Sequence, residues 1–283
     1  MIGVDEIQTQ ILKDKSRFLR YVSNTLGDRP GQEDIFSNRQ IEWGATAGVV
    51  MLLGQRSAGT DLDAETCIVL NKRSSKVKQP GDLCFPGGSM APHIDPFLAR
   101  LFSLPFASLG HWRHWDNWKK NHTRQAKLMS IIWATGLREG FEEMRLNPFG
   151  VRFLGLLPPQ SLVMFRRTIY PMVGWIRHQK RFFPNWEVEK VVYVALKDLL
   201  NPGLYGRYRL QMGGASGQDQ AGSVQNFPCF RLPAQNQKEI LWGATYRITM
   251  DFLEHVFGFK PPSSETLPVV EGALDQNYLS GNK

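Results

Sequence analysis

With 283 residues, 42% of them hydrophobic, the chain has enough apolar content for one substantial core and shows no composition break that would split it. Lys and Arg number 34 against 26 Asp and Glu, a net charge of +8, which favours anionic partners without choosing among nucleic acid, an acidic membrane surface and a multiply phosphorylated small molecule. The 3 cysteines, Cys67, Cys84 and Cys229, include no CxxC pair, which argues against a disulfide framework or a structural zinc site and fits a reducing compartment.

Taken in chain order, residues 1–24 mix Asp5, Glu6 and Asp14 with basic side chains and lack an apolar h-region, so they read as neither a secretory signal nor a mitochondrial presequence. A helix is expected over about 4–27, followed by a loop through Gly27–Gly31. The apolar runs 45–53 and 66–71 predict two buried strands, with the polar residues 54–65 as the hairpin between them. Cys84-Phe85-Pro86-Gly87-Gly88 reads as a short apolar strand entering a glycine turn, where backbone N–H groups can approach a phosphate closely.

Residues 92–128 open with the proline-interrupted apolar piece Phe97–Phe106 and continue with Trp112, Trp115 and Trp118, spaced as on a helical stripe. That stripe is expected to pack on the domain or on a second copy, with a lid over the glycine turn as the sharper reading. A single basic-aromatic patch is thin evidence for nucleic acid, and His111, His114 and His122 read as packed or exposed rather than as zinc ligands. Residues 212–226 are polar and glycine-rich, a flexible loop, and the stretch from 261 to 283 reads as a flexible tail. No apolar run reaches the roughly 18 residues of a membrane span. The chain ends Ser280-Gly281-Asn282-Lys283, without a Ser-Lys-Leu address, and the expected compartment is the cytoplasm.

The most informative stretch is Arg138-Glu139-Gly140-Phe141-Glu142-Glu143-Met144-Arg145-Leu146. On a helix, Glu139, Glu142 and Glu143 fall within an arc of roughly 100°, while Ala134, Leu137, Phe141 and Met144 gather on the other side. Three carboxylates on one face suit a hard divalent cation, Mg²⁺ or Mn²⁺, although a solvated face with an Arg138–Glu142 pair would look similar.

Gly87-Gly88 followed by Arg-Glu-x-x-Glu-Glu resembles the box of the Nudix hydrolases, and Arg73 through Gly88, with its Pro-Gly-acidic-apolar-Cys-Phe-Pro-Gly-Gly ending, resembles the coenzyme A diphosphatases of that superfamily. Residues 153–159 and 170–176, the Asn185-Trp186-Glu187-Val188 loop with strand 192–196, and Trp242-Gly243-Ala244-Thr245 resemble later parts of the same group. The box departs from its pattern of Gly, five residues, Glu, seven residues, Arg-Glu. Gly88 and Arg138 stand too far apart, the interior glutamate has no clear counterpart (the count forward from Gly88 falls on Ile94, next to Asp95), and Arg145 replaces the late glycine. Losing that glycine predicts a helix running on to about Asn147-Pro148.

The resemblance implies an α/β Nudix fold, an α/β/α sandwich with a mixed sheet, carrying an N-terminal helix and a helical insertion. The expected organisation is a lead-in over 1–40, the Nudix domain over 41–260 with the insertion at about 92–128, and the tail. It implies Glu142 and Glu143 as main metal ligands with Glu139 as a further one, Arg138 holding the glutamates by ion pairs, and Glu187 as a candidate general base. Arg73, Lys76 and Lys78 would meet the phosphates of a coenzyme A-like nucleoside diphosphate, beside Phe85, Gly87 and Gly88. The implied reaction is diphosphate hydrolysis of coenzyme A or acyl-CoA, with another nucleoside diphosphate or a catalytically weak binding module as alternatives. Nucleic acid is not expected as a partner, and a homo-oligomer is left open.

Overall fold

In the computed structural model, which describes residues 11–36, 42–57, 64–162, 166–211, 224–233, 239–263, 266–273 and 278, strand β1 (Thr46–Ser57) divides the molecule. Val50 and Leu52 enter one apolar core and Met51 and Leu53 another, as the two-residue period of a strand requires. Strand β2 (Ala64–Arg73), antiparallel to β1, alternates the same way, with Ile68 and Leu70 in one core and Cys67 and Val69 in the other. β3 (Leu83–Cys84) pairs with β2 and β4 (Gly87–Ser89) with β1. The sheet is completed by β5 (Val151–Leu156), β6 (Gln160–Leu162), β7 (Arg167–Ile176, parallel to β1) and β8 (Val188–Ala195, against β2).

Helix α1 (Lys15–Gly27) covers one face through Phe18, Leu19, Val22 and Leu26. The other face is covered by α2 (Asp95–Phe102), α3 (Trp115–Asn121) and the long α4 (Thr123–Met144). After the short α5 (Leu196–Leu199), a second sheet runs in the order β11 (Ile240–Leu241), β10 (Val224–Arg231), β9 (Tyr205–Gln211), β12 (Val269–Ala273). Helix α6 (Gly243–Phe257) packs Ile248, Phe252, Leu253 and Val256 into the α1 core. The expected α/β/α sandwich with a mixed sheet is therefore the architecture found.

Several local expectations are corrected. The N-terminal helix is interrupted at Asp14, whose carboxylate caps α1 by accepting from the N–H groups of Ser16 and Arg17; residues 4–10 lie outside the described residues. The hairpin shrinks because β1 runs to Ser57 and β2 begins at Ala64. Residues 224–226, expected in the flexible loop, begin β10, and 212–223 lie outside the described residues. Within the expected tail, β12 pairs in parallel with β9 and Tyr278 is buried, so residues 269–273 and Tyr278 belong to the fold. The tryptophan stripe is core: Trp112, Trp115 and Trp118 are all buried, with Trp112 edge-on to Phe153 at 5.0 Å.

The end of α4 also differs. The helix stops at Met144 because Arg145 itself takes the left-handed conformation, φ 55°. Its N–H donates to the Phe141 carbonyl and the Leu146 N–H to that of Gly140, which satisfies two orphan carbonyls without a glycine. The guanidinium of Arg145 lies 5.1 Å from the centre of the Phe141 ring, and that ring is 45% exposed rather than packed with Ala134, Leu137 and Met144. Gly140 has a packing reason: a Cβ there would meet Leu146 at 2.8 Å.

Candidate active site

The charged end of α4 is organised by a buried acid. Asp95, at the start of α2, is fully buried and accepts from the Ala91 N–H (2.6 Å) and the Thr135 hydroxyl (2.7 Å) through Oδ2, and from Arg138 Nε (2.8 Å) through Oδ1. The other guanidinium nitrogens of Arg138 donate to the Ser89 carbonyl at 2.9 Å, to Glu139 at 2.8 Å and to Glu142 at 3.2 Å. Burial opposes the charge on Arg138, but Asp95 and Glu139 outweigh it and raise its pKa above the ordinary arginine value. Asp95 stands one residue past the place the box reserves for its interior glutamate, and it binds Arg138 across the insertion.

Glu139 faces the glycine turn so closely that a Cβ on Gly88 would lie 2.4 Å from its carboxyl carbon and would displace that carboxylate. Beside it, Glu143 accepts from the Nδ2 of the fully buried Asn71 at 2.8 Å. Burial above all, then the neighbouring Glu139, pushes the Glu143 carboxyl up to about 8, against the pull of Asn71 and Arg73. The Glu139 carboxyl is also raised, first by burial, with Arg138 opposing. Cys84 shares the cleft, its thiol pushed up to about 12 by burial and by Glu143, which leaves it protonated and unreactive.

The cleft, about 170 Å³, is lined by Arg73, Val77, Cys84, Gly87, Glu139, Glu143, Glu187 and Val188. The structure thus brings together Arg73, Gly87, Glu139, Glu143 and Glu187 from among the residues expected at the site. Glu142 stays on the rim, its side chain half exposed and turned to Arg138. Lys76 and Lys78 are exposed on the loop after β2, where the Lys78 carbonyl accepts from Arg73 Nε at 2.7 Å. Phe85 does not line the cleft: it is buried in the α1-side core, because the odd-numbered side chains of that short run point inward with Leu83. Sequence reasoning missed Asn71 and Asp95, whose partners lie 72 and 43 residues away. It also missed Asp82, which ends the Arg73–Gly81 loop and accepts from the Trp242 indole N–H (3.1 Å) and the Tyr278 hydroxyl (2.5 Å), tying that loop to α6 and to the chain beyond β12.

No family model matches the chain. Among curated proteins it is 27% identical over 149 residues, 52% of this chain, to the peroxisomal coenzyme A diphosphatase NUDT7 of Mus musculus. An Arg-Glu-x-x-Glu-Glu helix end packed against a Gly-Gly strand accompanies that likeness. The likeness is to the Nudix hydrolases. Its match covers 48% of that relative's own length. Solved Nudix structures similar to it include the hydrolase RenU from M. smegmatis (11% identical, covering 58% of this chain and 78% of that one, TM-score 0.35). Another is the NUDIX domain of Shewanella oneidensis NrtR complexed with ADP ribose (13% identical, 60% and 86% covered, TM-score 0.33). Superpositions this loose carry no argument about substrate.

The helix end is arranged around Arg138. Among the described residues no three His, Cys, Asp or Glu side chains form a metal-ligating group, since Arg138 holds Glu139 and Glu142 while Asn71 holds Glu143. The donor chemistry nevertheless fits a hard divalent ion. The donors are carboxylate oxygens, and Glu139 and Glu143 sit close enough for one to hinder ionisation of the other, a repulsion that a cation relieves.

Proposed function

We propose that this chain is a diphosphatase dependent on Mg²⁺ or Mn²⁺ that hydrolyses coenzyme A or acyl-CoA. Water adds to one phosphorus of the diphosphate, the bridging P–O bond breaks, and adenosine 3′,5′-bisphosphate and a 4′-phosphopantetheine product leave. The observation that carries the reading is the convergence of Glu139, Glu143, Glu187 and Arg73 on the glycine turn in one cleft. The likeness to a relative named as a coenzyme A diphosphatase supports the substrate class.

A diphosphate repels an anionic nucleophile, and a divalent cation neutralises its oxygens and lowers the pKa of bound water. Glu139, Glu142 and Glu143 would hold that cation. Arg138, itself fixed by Asp95, positions Glu139 and Glu142, and Asn71 positions Glu143. Glu187, beside Glu143 in the cleft, is the candidate base for the attacking water. Arg73 would meet a phosphate oxygen from the far wall, with the Gly87-Gly88 backbone behind it and Lys76 and Lys78 approaching from the exposed loop. The three thiols are free and support a reducing compartment such as the cytoplasm; no helix among the described residues is long and apolar enough to cross a membrane.

One observation favours a second reading. With Arg138 paired to both Glu139 and Glu142, the site also suits a Nudix module that binds a nucleotide and turns it over weakly. Product analysis with coenzyme A, acyl-CoA, ADP-ribose and a dinucleotide, with Mg²⁺ or Mn²⁺, separates the cases. Metal-dependent release of adenosine 3′,5′-bisphosphate that a Glu142→Gln/Glu143→Gln protein lacks is the expected result. Preferential cleavage of ADP-ribose would move the substrate, and binding without turnover would favour the module.

A further inference from the structure

A second charged concavity lies away from the glutamate cleft. Two adjoining cavities, of about 520 and 320 Å³, share Lys15, Arg177 and His178 at the end of the central sheet where β1 and β7 finish. They lie at Gly54–Arg56 of β1, roughly 20 Å along the strand from the Val49–Gly87 pairing at the cleft. Arg56 and Lys180 line the first and Arg152 the second, and no aspartate or glutamate among the described residues lines either.

Among the described residues no carboxylate forms an ion pair with Lys15, Arg56, Arg152 or Arg177. Glu65, opposite Arg56 in the strand register, is bound instead by Lys197. Arg152 is half-buried, and its pKa is lowered by that burial and by Arg177, so two guanidinium groups face one another's charge. Lys15 lies 5.6 Å from the centre of the Trp175 ring. Trp175 is 1% exposed, lines the second cavity, and its indole N–H has no hydrogen-bond partner among the described residues. The basic donors in this lining, with an unpartnered buried indole N–H beside them, ask for an acceptor-rich ligand. Planar guanidinium groups match phosphate oxygens in pairs, and the volumes suit a small molecule rather than a single ion.

We propose that this cavity is a second ligand site, for a small anion carrying two or more phosphoryl groups, held by Lys15, Arg56, Arg152, Arg177 and the Trp175 indole N–H. The site does not rest on the diphosphatase reading, because it shares no lining residue with the cleft.

Isothermal titration of the full chain with inorganic tripolyphosphate, and with ADP and ATP in parallel, tests it at about 0.05 M and about 0.3 M salt. The expected result is one equivalent bound at both salt levels, weakened about tenfold or more by Arg152→Gln/Arg177→Gln and unaffected by Arg73→Gln in the cleft. Should the first variant melt below the assay temperature, Lys15→Gln/Arg56→Gln, which changes the exposed Arg56 and leaves the half-buried Arg152 in place, carries the same expectation of weakening. ATP binding tighter than tripolyphosphate would assign the ligand to nucleotides, and equal binding to bare oligophosphates. Unchanged affinity in both cavity variants, loss confined to Arg73→Gln, or several equivalents that vanish at the higher salt would each overturn the site. So would capture of phosphatidylserine vesicles or single-stranded oligonucleotide, lost in the cavity variants, with no tripolyphosphate bound.

Discussion

The two ends of the central sheet solve opposite electrostatic problems with different means. At the cleft, Glu139, Glu142 and Glu143 crowd one helix end, and the chain supplies its own counter-charge, Arg138, seated on the buried Asp95. At the other end Lys15, Arg56, Arg152 and Arg177 gather with no described carboxylate paired to them. The difference lies in burial. Arg138 and Asp95 are held inside, where an unpaired charge costs several kcal/mol, whereas the basic cavity stays open to water that screens its repulsion until a ligand arrives.

The harshest way to break this contrast is Asp95→Ala, which strands Arg138, the Thr135 hydroxyl and the Ala91 N–H. Urea denaturation should show a loss of about 3–5 kcal/mol, with Asp95→Asn milder. Next, Glu143→Gln should lower cation-dependent turnover about 10²–10³-fold while coenzyme A remains bound, measured by steady-state kinetics and equilibrium titration. The pH dependence of stability sharpens the comparison further. With the folded Glu143 carboxyl near 8 and its ordinary value at 4.5, the native state holds a proton that the unfolded chain releases. Cation-free protein should therefore lose stability as pH rises from about 4.5 through about 8. Glu143→Gln should flatten that slope in melting experiments, and a slope of the opposite sign would refute the account. The smallest effect belongs to the basic end: Arg177→Gln should raise stability on the order of 0.5 kcal/mol at low salt by relieving Arg152, and the gain should vanish at about 1 M salt.

What could be read from the sequence was what is local in it. Glu139, Glu142 and Glu143 declare a common face because they are neighbours on one helix, and the tryptophan spacing declares a packed stripe. Asp95 stands beside the position counted from Gly88, but nothing in the 42 intervening residues tells that α2 folds back against α4. Asn71 reads as a strand residue until the fold sets Glu143 beside it. The helix end was misjudged for a different reason: absence of glycine argues against a left-handed stop, yet Arg145 adopts one at a cost of about 1–2 kcal/mol, offset partly by its stacking on Phe141. The basic cavity was invisible, because Lys15, Arg56, Arg152 and Arg177 come from four separate segments with no spacing to relate them.

The clasp of Asp82 by Trp242 and Tyr278 sets an order in time as well as in space. During synthesis the box helix, the glycine turn and the loop bearing Arg73 all leave the ribosome long before Tyr278 does. Until then the loop lacks its last anchor, so the nascent protein can complete its main sheet while one wall of its cleft is still unfastened. Premature termination anywhere between α6 and Tyr278 would yield a chain that keeps most of its core yet holds Arg73 loosely, a defect that a folding assay would miss and a binding assay would catch.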